Sequence, residues 1–266
     1  MVNALSARIA SETRSLAKQV PLIGMLGWQD VKQRYRRSML GPFWLTISMG
    51  VMIGSIGFVF GHIFKSPMRE FLPFLTVGLV LWGFVSSVII EGCSGFTSAE
   101  GVIRQLPIPL YVHVARVVWR NTLVMAHNMI ILPVILLAVG KPITWIAFES
   151  APGFIVVVAN VGWMALILAV ICARYRDLPQ IVASGLQVIY FVTPIIWMPN
   201  VLDAREQAYM LIGNPFFHLI EICRAPLLGQ ESTISNWIVS LAMTFAGWII
   251  ALAVYRRYRG QIVYWL

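Results

Sequence analysis

Six stretches of this chain run for 20 residues or more without an Asp, Glu, Lys or Arg: 38–64, 71–90, 121–140, 150–173, 178–202 and 232–255. An α-helix rises about 1.5 Å per residue, so about 20 such residues cross the roughly 30 Å hydrocarbon core of a bilayer. In lipid every backbone N–H and C=O must be satisfied inside the protein, and a helix does this segment by segment. The pattern predicts an all-α polytopic membrane protein with six transmembrane helices. Only 12% of the residues are charged and 59% are apolar, against about 25% charged in a soluble domain. No polar stretch is long enough to fold separately, so 1–266 reads as one membrane domain. It comprises an amino-terminal segment (1–42), a six-span core (43–255) and a tail (256–266).

Six spans place both ends of the chain on one side. With those ends inside, inner segments hold 15 of the 20 Lys and Arg residues; Lys65, Arg69, Lys141, Arg205 and Arg224 fall outside. Lys and Arg concentrate on the cytoplasmic side of membrane proteins, so both termini are expected in the cytoplasm. The net charge of +9 is then an orientation signal and calls for no nucleic-acid partner. The segment 1–18 has no apolar core of the kind a cleavable signal peptide needs. Cys93, Cys172 and Cys223 show no CxxC spacing and read as small apolar packing residues.

Ahead of the first span, Trp28, Val31, Tyr35 and Met39 recur at helical spacing, with Asp30, Arg34 and Arg37 on the opposite face and Lys32 and Arg36 flanking. This predicts an amphipathic helix over 30–39 lying at the inner interface, its cations toward anionic headgroups. Gly41 and Pro42 end it, since proline lacks the N–H and restricts its predecessor. Within the first span Gly50/Gly54 and Gly57/Gly61 form two GxxxG pairs, which let another helix approach closely; packing within the chain and dimerisation explain them equally. Between the second and third spans a short helix is expected over 98–106, ended by Pro107 and Pro109. Glu91 and Glu100 bracket that loop, and either carboxylate would lower the burial cost of Arg116 and Arg120. The tight loop 173–180 carries Arg174 and Arg176, which suit an anchor, and Asp177, which an anchor does not need. The stretch 198–236 is too apolar for a free loop and too broken to span, with Asn214–Pro215 and Pro226 punctuating two helical pieces. It suggests a re-entrant helix pair before the last span, backed by protein or lining a wet cavity.

The chain has no GxxxxGK[ST] phosphate loop, and no HExxH, GxSxG or metal-spaced cluster, so no catalytic or metal-binding residue and no ATPase of its own is expected. His127 and Asn128 fit either a proton relay or interhelical hydrogen bonds. No span carries an acidic residue near its centre, so a transport cycle would draw its energy from another polypeptide. Aromatic residues are abundant in two spans: Phe43, Trp44, Phe58, Phe60 and Phe64 in the first, Tyr190, Phe191 and Trp197 in the fifth. Aromatic faces stack weakly on sugar rings, the repeated grip that a sliding glycan requires, while Trp and Tyr also populate membrane interfaces.

The motifs VKQRYRRSMLGPFWLTI, ARYRDLPQIVASGLQVIYFVTPIIWMP and NPFFHLIEICRAPLLG, in this order, resemble the membrane subunit of polysaccharide ABC exporters. The resemblance is to the O-antigen export permease (Wzm) family, with capsule and teichoic-acid permeases as relatives. It implies a permease in the bacterial inner membrane that pairs with a second copy of itself and with two ABC ATPase subunits. Those subunits, not this chain, would bind ATP and Mg. Their hydrolysis would drive an undecaprenyl-linked polysaccharide through a channel between the two permeases. By the same resemblance the channel would be lined by Phe43, Trp44, Phe58, Phe60, Tyr190, Phe191 and Trp197. Coupling to the ATPase would fall to Arg34, Arg37, Glu100, Arg104, Arg176 and Asp177. The segment 208–228, with Pro215, Phe216, Phe217 and Pro226, would be the external gate. The alternative transporters are a permease for capsular polysaccharide or teichoic acid, or a drug or lipid exporter of the same fold. A membrane glycosyl- or acyltransferase using His127 or Asp177 would need an acceptor-activating site that no cluster of residues supplies.

Overall fold

The computed structural model describes residues 19–33, 43–64 and 66–266. Every regular element among them is helical: α1 (19–33), α2 (Phe43–Ile63), α3 (Met68–Cys93), α4 (Glu100–Gln105), α5 (Leu110–Asn128), α6 (Ile131–Ala138), α7 (Ser150–Arg174), α8 (Leu178–Val192), α9 (Ala204–Ile212), α10 (Pro215–Leu227), α11 (Ile234–Tyr258) and α12 (Ile262–Trp265). Short 3₁₀ turns precede α4, α7 and α9.

Five helical stretches among the described residues are long and apolar enough to cross a membrane: α2, α3, α5 with α6, α7 with its preceding turn, and α11. The fifth apolar run of the sequence is cut short. Pro194 pushes Thr193 into an extended conformation (φ −85°, ψ 134°), as the residue before a proline prefers. The helix therefore stops at Val192, 15 residues long, or about 22 Å. The third run differs at its other end. Its helix starts at Leu110 instead of 121, so Arg116 and Arg120 are helical residues. Pro133 has no N–H for the Met129 carbonyl, which accepts from Leu132 N at 3.1 Å instead; the helix breaks there into α5 and α6.

The bundle is built around α3, which is buried along almost its whole length and touches α2, α5, α6, α7, α8 and α10. Small residues set the crossings. A Cβ on Gly92 would come within 2.9 Å of the Ala165 Cα on α7, so α3 and α7 lie close together. A Cβ on Gly247 would fall 2.1 Å from the Trp163 ring, while Gly162 faces Trp248, a reciprocal fit of α7 with α11. Pro226 lies inside the last turn of α10 and does not end it as the sequence suggested. It removes the N–H that would have reached Ile222, and the Ile222 carbonyl packs where a Gly153 Cβ would sit, at 2.7 Å. The two GxxxG pairs of α2 part company. Gly57 and Gly61 face Leu72 and Met68 of the same chain, whereas Gly50 and Gly54 have open space.

Two further expectations change. The amino-terminal helix is already formed at residue 19, well before the expected start at 30. On it Asp30 turns toward α5 and not toward the headgroups, held by charge-assisted hydrogen bonds from two arginines, while Trp28 stays exposed. In the tail, Ile262 is fully buried, and Arg174 on α7 lies 5.5 Å from the Trp265 ring centre. Tyr35, Met39, Gly41 and Pro42 lie outside the described residues. All three cysteines are buried and free, in keeping with packing roles.

The Gly153 contact yields a test. Because its obstacle is backbone, Gly153→Ala should cost about 1–3 kcal/mol, whereas Gly54→Ala should be neutral in the monomer. Thermal unfolding of the detergent-solubilised variants checks both.

Candidate transport groove, gate and coupling surface

A groove of about 390 Å³ opens between α2, α3 and α8, lined by Met49, Met52, Trp82, Leu186, Gln187 and Tyr190. Tyr190 packs against Trp82 with ring centres 5.8 Å apart, and against Phe191 at 5.3 Å. Phe216 meets the other side of Trp82 edge-on at 5.8 Å. Trp197 donates its Nε1–H to the Phe191 carbonyl at 3.1 Å. Thus Tyr190 of α8 and Phe216 of α10 converge on Trp82, which sequence reasoning passed over; the available signal was a tryptophan near the middle of an apolar run, away from either interface. The α2 aromatics stay apart from them. Phe43, Trp44 and Phe58 are exposed, Phe43 resting on His127 and Phe58 on His62. Phe60 is half-buried beside Phe64. Asn128 accepts from Thr46 Oγ1 at 3.3 Å, so this residue links α5 to α2 by a hydrogen bond.

At one end of the bundle α10 is tied down at several points. Asn214 caps its start, accepting from the N–H groups of Phe216 and Phe217, as Asn does at N-caps. The Asn214 amide also donates to Thr193 Oγ1 at 2.9 Å. His218 is held between Asn236 and the Ile212 carbonyl. Arg224, 1% exposed, donates to Glu221 from Nε at 2.9 Å and to the Pro194 carbonyl from Nη1 at 2.6 Å. Its guanidinium lies 4.0 Å above the Phe74 ring. The sequence analysis counted Arg224 among the outer charges; it is buried, a structural bolt joining α10, α3 and the end of α8. Pro215 is exposed and Phe216 and Phe217 are half-buried, whereas Pro226, near the other end of α10, is buried. The preceding helix, α9, is mostly exposed and starts with a capping box made by Asp203 and Glu206.

At the opposite end, α4 has no buried residue, and its Glu100 and Arg104 pair with each other at 3.0 Å while both remain exposed. Arg176 and Asp177 are exposed in the link from α7 to α8. Gly95, just after α3, sits beside Val114 of α5 and Ala169 of α7, which places this link and α4 at the same end. Arg34 and Arg37 lie outside the described residues. Glu91, and not Glu100, answers the arginines of α5. Arg120 Nη2 donates to Glu91 at 2.6 Å and Nη1 to Asp30 at 3.2 Å. Arg116 grips both oxygens of Asp30, from Nε at 2.5 Å and from Nη2. Asn121 donates to Glu91 at 2.5 Å. The Asp30 contacts cross 86 and 90 residues of sequence, beyond the reach of any local pattern.

Residues 21–228 match the ABC-2 type transporter family over most of the chain. The chain belongs to that family. It is 24% identical over 208 residues to the O-antigen export system permease protein RfbA of Myxococcus xanthus, covering 78% of this chain and 80% of the relative. Two Klebsiella pneumoniae proteins of the same name are 21% identical over 197 residues (72% and 74% covered) and 22% over 242 residues (86% and 88% covered). An ABC-2 member is a multi-pass transporter subunit that works with an ABC ATPase, which fits the apolar helices and the missing phosphate loop.

For this ABC-2 subunit, Arg224→Met should leave Glu221 as an uncompensated charge and cost about 3–5 kcal/mol. Adding Glu221→Gln should recover much of the loss. The folded yield of the two variants after solubilisation measures it.

Proposed function

We propose that this chain is the channel-forming permease of an exporter that moves undecaprenyl-linked O-antigen polysaccharide outward across the bacterial inner membrane. What carries the reading is the likeness to three O-antigen export permeases over 72–86% of the chain. Two copies would enclose the channel and two ATPase subunits would drive it. In this reading α8 is the fifth of six spans, shortened, α9 and α10 form a re-entrant pair, and both ends of the chain are cytoplasmic. The end bearing α4, Arg176 and Asp177 then faces the ATPase, and the end bearing Arg224 faces outward.

The groove beside α8 supports a glycan path. Tyr190 in it and Phe191 and Trp197 beside it, with Phe43, Trp44 and Phe58 exposed on α2 and Phe60 turned partly inward, would supply weak, repeated stacking surfaces. Pro215, Phe216 and Phe217 would form the rim of the external gate, with Pro226 buried near the other end of α10. Because α10 is bolted at both ends, α9 is the part of the gate free to move. Glu100 and Arg104 on α4, together with Arg176 and Asp177, would receive the ATPase, alongside Arg34 and Arg37.

Removing the chain from its host should abolish glycan export, and restoring it with its ATPase should return export; glycan still reaching the surface without it would refute the proposal. Tyr190→Ala and Trp197→Ala should slow export severalfold while the complex still assembles, measured as glycan exported per permease complex. Asp177→Ala should weaken ATPase binding or uncouple hydrolysis from export, measured by co-purification and by glycan moved per ATP.

A further inference from the structure

The cluster of Asp30, Arg116, Arg120, Glu91 and Asn121 joins three helices at a telling place. The chain leaves α3 at Cys93, makes the α4 excursion, and returns as α5 at Leu110. Glu91 lies on the root by which α4 leaves and Arg120 on the helix by which it returns. Arg120 bridges them at 2.6 Å and reaches Asp30 of α1 at 3.2 Å. The Asp30 side chain is 9% exposed and receives a two-point grip from Arg116. Nearby, Gly27 of α1 lies against Trp119 and the Arg116 carbonyl, where a Cβ would fall 2.6 Å from the indole. Shape and charge therefore fix α1 on α5 at one spot.

We propose that this cluster is a transmission clamp, with Asp30 and Arg120 as its positioning residues. The clamp makes α1, α3 and α5 move as one body when a partner presses on α4. Having no buried residue, α4 cannot drag α1 by its own packing, and a push on it passes through the backbone into α3 and α5. The Asp30 cross-link, with the Gly27 contact beside it, carries α1 along with those helices. Ion pairs at buried positions add little net stability compared with apolar residues, but breaking one is expensive, so they fix geometry more than they stabilise it. A bidentate arginine grip on one side and a second arginine on the other leave the carboxylate one orientation. The proposal rests on the transport reading above for its cargo, and on the cluster alone for its mechanics.

The test uses the full permease–ATPase complex in vesicles. Asp30→Asn should lower glycan exported per ATP hydrolysed at least about fivefold, with assembly and hydrolysis retained. A cross-linked Asp30→Cys/Arg116→Cys pair, joined by a short bis-thiosulfonate, should restore the ratio. An Asp30→Asn complex with the wild-type ratio overturns the clamp, as does a cross-linked complex that hydrolyses ATP without exporting. If Asp30→Asn fails to assemble, the cross-linked pair decides alone. A second readout needs no glycan: spin labels at Gln33 on α1 and Gln105 on α4 should keep one separation through the nucleotide cycle, and split into two populations in Asp30→Asn. A wild-type separation that changes with nucleotide also overturns the clamp. Absence of export by the wild-type complex, with the label distance constant, would instead sink the transport reading and leave the clamp standing.

Discussion

The close approach of α3 and α7 at Gly92 and Ala165 is the constraint from which the rest of the bundle follows. Hydrocarbon offers no hydrophobic drive between helices, so their association rests on dispersion contacts and hydrogen bonds, and both need short distances. With no side chain at Gly92, α3 sinks against α7 and is enclosed by its neighbours. The same device recurs outward, at Gly153 under the Ile222 carbonyl and at Gly247 under Trp163. Inside the α7–α11 seam, Asn160 donates to the Ser240 carbonyl and to Thr244 Oγ1, and accepts from Trp163. One buried amide thus finds its partners where lipid offers none.

Against this rigid centre, α2 and α8 are lightly held. The α2 apolar window is 11% buried, compared with 78% for α3, and α8 buries only Leu186 fully. Their outward faces, together with the groove lined by Trp82 and Tyr190, are left largely exposed, as is most of α11. Polar bolts sit at the two ends of the bundle, Arg224 at one and Arg120 with Arg116 at the other. Each pairs an arginine with carboxylates and joins helices distant in sequence. Opposite ends locked by geometry and a weakly packed flank between them suit a protein that transmits a push without losing its core.

How much of this was legible can be argued residue by residue. The second, fourth and sixth apolar runs became long helices because no proline interrupts their middles, as Pro194 interrupts the fifth. The start of α10 was readable from Asn214–Pro215, a cap and a first-turn proline whose chemistry is local. The Arg120–Glu91 pair was half readable, since a membrane arginine needs an acid and Glu91 was near. Asp30 was misplaced because helical periodicity assigns a face but not a neighbour. Pro226 misled because a proline in a last turn can be absorbed when the freed carbonyl finds a glycine.

The sequence by itself determined that this chain is a helical membrane protein without its own phosphate loop, because length, hydropathy and missing motifs are local properties. Its motifs also carried the family resemblance. Only the tertiary structure decided which glycines face inward, that Arg224 is buried, and that Asp30 closes onto α5. Those outcomes depend on distances between segments tens of residues apart, or on the volume a missing Cβ leaves for a neighbour.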